Sequence, residues 1–206
     1  MCGRMNVIDD INIKELMEEL GMPLYPANSS DLFSELKPSE STLAIIQQHN
    51  EISAKQVQWG IQPGWSKALL INAKSETVHE KASFKHAFNQ QRALIPCQGW
   101  YEWKSADSTS RKTPKDKYLI THQSLSPMLM AAVYFPNDNQ FVTLTSQPND
   151  YLATVHHRMP VIISKEHAKD WMLSDNKTAM RLFLSQQQDQ YTAKIIPLEQ
   201  TSLSLF

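Results

Sequence analysis

The sequence predicts an α+β fold in which antiparallel sheet dominates, and three observations carry that reading. Short β-rich runs at 92–97, 99–104, 117–122, 128–135 and 140–146 follow one another with turn signals between them. Helical periodicity is confined to the two ends and one middle stretch, so strands and helices do not alternate as βαβ units. The chain holds 5 Gly and no GxGxxG or phosphate-loop motif, which argues against a nucleotide-binding doubly wound sheet.

Taken in order, residues 2–7 read as a short strand. Ile13, Leu16, Met17 and Leu20 then recur at the i, i+3, i+4, i+7 spacing of one helix face, with Asp9 or Asp10 as cap and Gly21 as stop. Residues 22–41, rich in Pro and Ser, predict a long loop, and 42–48 and 52–59 predict two strands joined by a turn at His49 and Asn50. Residues 80–90 suit a helix. The polar stretch 106–116, with Arg111, Lys112 and Lys115, predicts an exposed hairpin loop. Ser164 is placed to cap a helix running through Trp171, a second helix is expected over 178–187, and Tyr191 to Pro197 returns as a last strand. With no repeat and no linker, residues 1–206 read as one domain, large enough to bury a core without disulfides or a structural metal.

No apolar run approaches the roughly 20 residues that span a bilayer, and no signal-peptide core follows the N-terminus, so a cytoplasmic protein is expected. Cys2 and Cys97 make no disulfide framework and match no zinc-ligand spacing. A net charge of -1 means that any nucleic-acid binding must come from a local patch. Residues 51–125 supply one, with 11 Lys and Arg against 6 Asp and Glu, although a solvated charged face is an equal reading.

Cys2 is the most informative residue. Methionine is commonly removed when the second residue is small, and its removal here leaves a cysteine with a free α-amine beside its thiol. An α-amino pKa of about 7.7–8.0 leaves a useful neutral fraction at pH 7, so this amine attacks an aldehyde more readily than a lysine does. The thiol can then close on the imine to give a five-membered thiazolidine, a step favoured by its intramolecular placement. The other reading of Cys2 is a small residue in a first strand.

Four motifs accompany it: Cys2-Gly3-Arg4; Trp59-Gly60-Ile61-Gln62-Pro63-Gly64-Trp65 with Ile71-Asn72-Ala73-Lys74; Gly99-Trp100-Tyr101-Glu102-Trp103; and His156-His157-Arg158-Met159-Pro160. Together, in this order, they resemble the SRAP (SOS-response-associated peptidase) domain family, from residue 2 to about residue 173. The resemblance implies a single α+β domain with a central antiparallel, barrel-like β-structure and a basic groove for single-stranded DNA. It also implies a thiazolidine link between the N-terminal Cys and an abasic site. Carried over by motif, Cys2 is the nucleophile, Asn72 orients it and the sugar, and Glu102 and His156 are the acid/base residues. Arg4, Lys74 and Arg158 would hold phosphates, and Trp65 would pack against the bases flanking the lesion.

The residues suit those roles on their own chemistry. An abasic sugar is mostly a closed hemiacetal, and one carboxyl can take the O1′ proton and return one to O4′. Burial of Glu102 in its aromatic strand would raise its pKa and let it do both, whereas an outward-facing Glu in an alternating strand is the simpler reading. His156 titrates near neutrality and suits water loss during imine formation. Asn72 can hydrogen-bond without adding charge, or serve as a turn residue. Trp59 and Trp65 bracket a Gln-Pro-Gly turn; Trp59 is expected in the core and Trp65 to stack on a base. Cys97 reads as an inert buried thiol. No metal and no cofactor are expected.

Two positions depart from the family pattern. Lys74 stands where Arg is usual, which keeps the charge and loses the bidentate fork. Glu35-Leu36-Lys37-Pro38 replaces an Asn-Val-Ala-Pro-like sequence, and Glu35 would disfavour a nearby phosphate. A retained Met1 would block both the amine and ring closure. The expected partner is single-stranded DNA with abasic sites, with replication-fork proteins as a further partner class, a monomer in solution and nucleoid association in a bacterium. Self-processing at the N-terminus and an abasic-lyase side reaction are expected, and general protease activity is not. Two alternatives remain: a noncovalent single-stranded nucleic-acid binder, and an N-terminal-nucleophile amidohydrolase. Members of the latter also begin Met-Cys-Gly, but the Gly-rich segments for an oxyanion hole are missing here.

Overall fold

The computed structural model describes residues 2–7, 10–21, 35–48, 51–105, 115–184 and 191–197. Among the described residues, eleven strands form one mixed sheet: β1 (Met5–Val7), β2 (Ser41–Gln48), β3 (Glu51–Trp59), β4 (Asn72–Lys74), β5 (Arg92–Ser105), β6 (Lys115–His122), β7 (Met128–Phe135), β8 (Gln140–Ser146), β9 (Met159–Pro160), β10 (Ile162–Ile163) and β11 (Tyr191–Ile196). Its main path runs β10-β7-β8-β3-β2-β5-β6-β11, with β1 on β5 and both β4 and β9 on β8. An additional β5–β7 pairing curls the sheet back on itself, so it is barrel-like without being a closed barrel. Most pairings are antiparallel, as expected, but β3 and β4 each run parallel to β8. The crossover segments that make them parallel lie far from β8 in sequence, where turn signals give no warning.

The period-two rule explains how one sheet supports two cores. Along β7, Leu129, Ala131 and Val133 join one apolar cluster, while Met128, Met130, Ala132 and Tyr134 join the other. Helices α1 (Asp10–Glu19), α2 (Ala82–Gln90), α4 (Ala168–Leu173) and α5 (Asn176–Leu184) cover the first cluster through Leu16, Met17, Phe84, Phe88, Trp171 and Ala179. The second cluster holds Met5, Trp59, Trp100, Phe141 and also Cys2, so the expected nucleophile begins inside a core.

Strand β5 organises the site. The runs 92–97 and 99–104 are halves of a single strand: Arg92 to Cys97 pair with β7, then Gly99 to Ser105 pair with β6. What reads as a break at Gln98 is a change of partner. Gly99 is required there, because an added Cβ would meet the Ile120 carbonyl oxygen at 2.3 Å. Strand β1 lies along the same stretch, Met5 opposite Trp100, with a bulge between Asn6 and Val7.

Smaller differences have local causes. The first strand covers Met5–Val7 rather than 2–7. Ser164 precedes a 3-10 turn, Lys165–His167, and its hydroxyl bonds the His167 ring at 3.0 Å instead of capping backbone N–H groups. Helix α3 (Asp150–Ala153) was not expected; Asn149 caps it by accepting from Leu152 N. Asp9, the loop at 22–34, the turn at 49–50, the loop at 106–114 and residues 185–187 of the expected last helix lie outside the described residues.

Candidate active site

Four distant segments bring Cys2, Asn72, Glu102 and His156 together. Cys2 is fully buried, and its thiol lies 3.8 Å from the Arg4 carbonyl oxygen, a contact typical of a weak sulfur donor. Burial pushes that thiol well above its ordinary pKa, and the charge of Glu102 pushes it further, so the two groups share one electrostatic environment.

Asn72 fixes the backbone of Cys2. Its Nδ2 donates to the Cys2 carbonyl at 2.9 Å, while its Oδ1 accepts from the Thr143 hydroxyl. Asn72 opens β4, directly in register with Thr143 of β8, so the parallel pairing that the sequence did not disclose is what aims this amide. Asn72 is therefore a strand residue and not the turn residue of its simpler reading.

Glu102 lies two residues beyond Trp100 on β5 and shares its face, so its side chain is only 3 % exposed. Tyr101 and Trp103 take the opposite face. Burial raises the Glu102 carboxyl from the ordinary range to about 7. His156 Nδ1 lies 4.0 Å from Glu102 Oε1. Nδ1 lies 3.1 Å from both the backbone N and the carbonyl oxygen of Arg158, so in either tautomer of the neutral ring the Arg158 backbone fixes the orientation of the imidazole. Burial lowers the His156 pKa, favouring that neutral form at pH 7. A carboxyl titrating near neutrality thus sits beside a neutral imidazole and a protonated thiol.

The expected phosphate ligands divide into open and occupied ones. Lys74 is exposed, and its side chain makes no hydrogen bond or ion pair among the described residues. Trp65 is 71 % exposed, whereas Trp59 is buried, stacks on Phe141 and donates from Nε1 to the Ile71 carbonyl at 2.9 Å. Arg4 is half-buried, and its Nη1 contacts Glu35 Oε1 at 3.0 Å. Arg158 is buried, and its guanidinium grips Glu76 with two bonds, 2.6 and 2.8 Å, and also donates to the Thr145 carbonyl. That geometry differs from the phosphate role implied by the family pattern, because the guanidinium edge is already engaged. Cys97 is buried with its thiol pushed up to about 12, as an inert core thiol requires. Among the described residues, no group of three or more His, Cys, Asp or Glu could hold a metal ion, and no helix is long and apolar enough to cross a membrane.

A family model described as SOS response associated peptidase (SRAP) matches residues 1–201. The chain belongs to the SRAP family. Among its relatives, the abasic site processing protein YoqW of Bacillus subtilis (strain 168) is 28% identical over 185 residues, covering 85% of this chain and 82% of that protein. The abasic site processing protein YedK of Escherichia coli (strain K12) is 30% identical over 142 residues, covering 66% and 62%. Two solved structures share the SRAP chain's fold. A phage-related protein of Bordetella bronchiseptica superposes with TM-score 0.75 at 24% identity, covering 96% of this chain and 95% of the other. A Bacteroides thetaiotaomicron protein gives 0.70 at 18% identity, with coverages of 95% and 92%.

Sequence reasoning missed the supports of this SRAP site. Thr143 and Glu76 act on Asn72 and Arg158 across 71 and 82 positions, separations that leave no local signature. Lys117 reads in the sequence only as part of a basic segment, yet it joins Arg4 at Glu35.

Proposed function

We propose that this chain processes abasic sites in single-stranded DNA, and that Cys2, made N-terminal by loss of Met1, forms a thiazolidine with the opened sugar. The observation that carries this reading is the convergence of Cys2, Asn72, Glu102 and His156, drawn from four separate segments, in one buried cluster. The names of the YoqW and YedK relatives point to the same lesion.

The steps balance without any outside reagent. Glu102, with a pKa of about 7, accepts the O1′ proton of the closed sugar and delivers one to O4′, freeing the C1′ aldehyde. The Cys2 α-amine adds to C1′, and loss of one water leaves an imine. His156 and Glu102 assist that proton traffic. The Cys2 sulfur then bonds to C1′, the imine electron pair returns to nitrogen, and the thiol proton ends there. A thiol held protonated by burial brings its own proton to this closure. Asn72 keeps the Cys2 backbone in place, while Arg158 acts as a positioning residue for His156. Lys74 and Trp65, both exposed, are the open contacts for phosphate and base.

The test is intact-protein mass spectrometry after incubation with a single-stranded oligonucleotide bearing one abasic site. A denaturant-stable adduct, one water lighter than the sum, is expected from chain beginning at Cys2. Cys2→Ala and a form retaining Met1 should give none. Absence of adduct from a verified Cys2 N-terminus would overturn the covalent reading in favour of noncovalent binding.

A further inference from the structure

Outside the reactive cluster, the face of β5 opposite Glu102 carries a second charged assembly. Glu35 sends one carboxylate oxygen to Arg4 Nη1 at 3.0 Å and the other to Lys117 Nζ. The two cations and one carboxylate leave a net charge of +1. All three side chains keep contact with solvent, at 33%, 26% and 18% exposure for Arg4, Glu35 and Lys117.

Aromatic rings hold the cations in place independently of Glu35. Lys117 Nζ lies 4.2 Å from the centre of the Tyr101 ring, and Trp103 stands 6.0 Å from the Arg4 guanidinium and 5.8 Å from Lys117. Trp103 and Lys117 are also register partners across β5 and β6. The Arg4 backbone is fixed, since its carbonyl accepts from Tyr101 N at 3.0 Å as well as from the Cys2 thiol. An anion held here would therefore sit two residues from the reacting group.

Glu35 itself arrives on the 35–38 segment, which is tied to β1 by the reciprocal Met5–Leu36 backbone bonds of 3.1 and 2.8 Å. The backbone tether holds whether or not the carboxylate keeps its partners. Solvent-reachable ion pairs are weak, whereas a phosphodiester that displaces one also releases counterions.

We propose that Arg4 and Lys117 form a phosphodiester site beside Cys2, and that Glu35 is its resident competitor, displaced when a single strand enters. The proposal rests on the nucleic-acid part of the reading above and adds Lys117 as a strand contact. It makes Glu35 a residue that tunes affinity downward. The carboxylate mimics the ligand: two oxygens, one negative charge, one oxygen to each cation.

The experiment is fluorescence anisotropy with an undamaged single-stranded oligonucleotide over a series of KCl concentrations. Glu35→Gln, which keeps the shape and removes the charge, should tighten binding about fivefold at low salt, and Glu35→Ala should do the same. Lys117→Met, which retains the apolar stem on Tyr101, should weaken binding and reduce the salt slope by about 0.7. Melting temperatures taken alongside verify folding. If both Glu35 variants fold and bind no more tightly than the parent, or no form binds the strand at low salt, the proposal falls. Adduct formation with the abasic oligonucleotide is scored separately: tightening without an adduct sinks the covalent reading alone, and an adduct without tightening sinks this proposal alone.

Discussion

Asn72 holds Cys2 by donating from Nδ2 to its backbone carbonyl at 2.9 Å, and the Thr143 hydroxyl fixes which way the amide points. The contact is to the backbone, so it places the α-amine and the thiol together and leaves both unbonded to the amide. Asn72→Ala is expected to slow adduct formation by about tenfold to a hundredfold, through lost positioning of two groups at once. Asn72→Asp replaces the donor by an acceptor facing a carbonyl and should be worse. Single-turnover adduct rates at saturating abasic strand would check this, and equal rates for the parent and Asn72→Ala would remove Asn72 from the mechanism.

Glu102 gives a pH signature in stability as well as in rate. Its pKa is raised to about 7, against an unfolded value of about 4.3, so in that window the folded state holds a proton the unfolded chain has lost. Stability therefore falls as pH rises through the window, and the cost is complete above pH 7. Glu102→Gln should leave stability nearly unchanged at pH 4 and raise it at pH 8, by an amount on the order of 3–4 kcal/mol. The same variant should lose about a hundredfold or more in adduct rate. Urea unfolding at the two pH values measures the first, and a shift equal at both would contradict a buried, raised carboxyl.

Glu76 and Arg158 give the opposite sign. The Arg158 hydrogen bond holds the Glu76 carboxyl below its ordinary pKa, so this pair stabilises the fold above the ordinary carboxylate range and fades as acid protonates Glu76. Glu76→Gln leaves a buried guanidinium without its counter-charge. With Glu76 44% exposed, screening keeps the cost modest, about 1 kcal/mol at pH 7. The informative readout is the neighbouring imidazole. Arg158 N bonds the His156 ring, so loosening Arg158 should move the His156 titration seen by NMR; an unmoved titration would dismiss the positioning role.

Legibility of the sequence followed the range of the interactions involved. Strands 128–135 and 140–146 were readable to the residue, because local β-propensity and turn residues bound them. The α+β class followed from the same local cues. Strand β4, three residues long, was invisible because its place is set by a parallel pairing with β8 some 70 positions away. Cys2, Asn72, Glu102 and His156 could be singled out by side-chain chemistry and by family motif. The inward aim of Glu102 depended on which face of β5 Trp100 occupies, and the occupied state of Arg158 depended on Glu76. Glu35 was visible as an odd residue, but its two partners, Arg4 and Lys117, come from segments that only the fold brings together.

Trp65 and Trp59 bracket one turn and should part company on mutation. Trp65 is 71 % exposed, so Trp65→Ala is expected to change folding stability by no more than about 0.5 kcal/mol. Its proposed role is a stacking platform, and there the loss should be about 1–3 kcal/mol in binding an undamaged single strand, with little preference among bases. Trp59 is buried against Phe141 with its Nε1 bonded to the Ile71 carbonyl, so Trp59→Ala should cost about 3–5 kcal/mol of stability. Ile71 precedes Asn72, and the same cavity would loosen the strand that aims the Asn72 amide, so adduct rate should fall with it. Thermal melts and anisotropy titrations on the two variants separate a surface contact from a core support. A Trp65→Ala protein that binds as the parent does would assign strand recognition to the charged contacts alone.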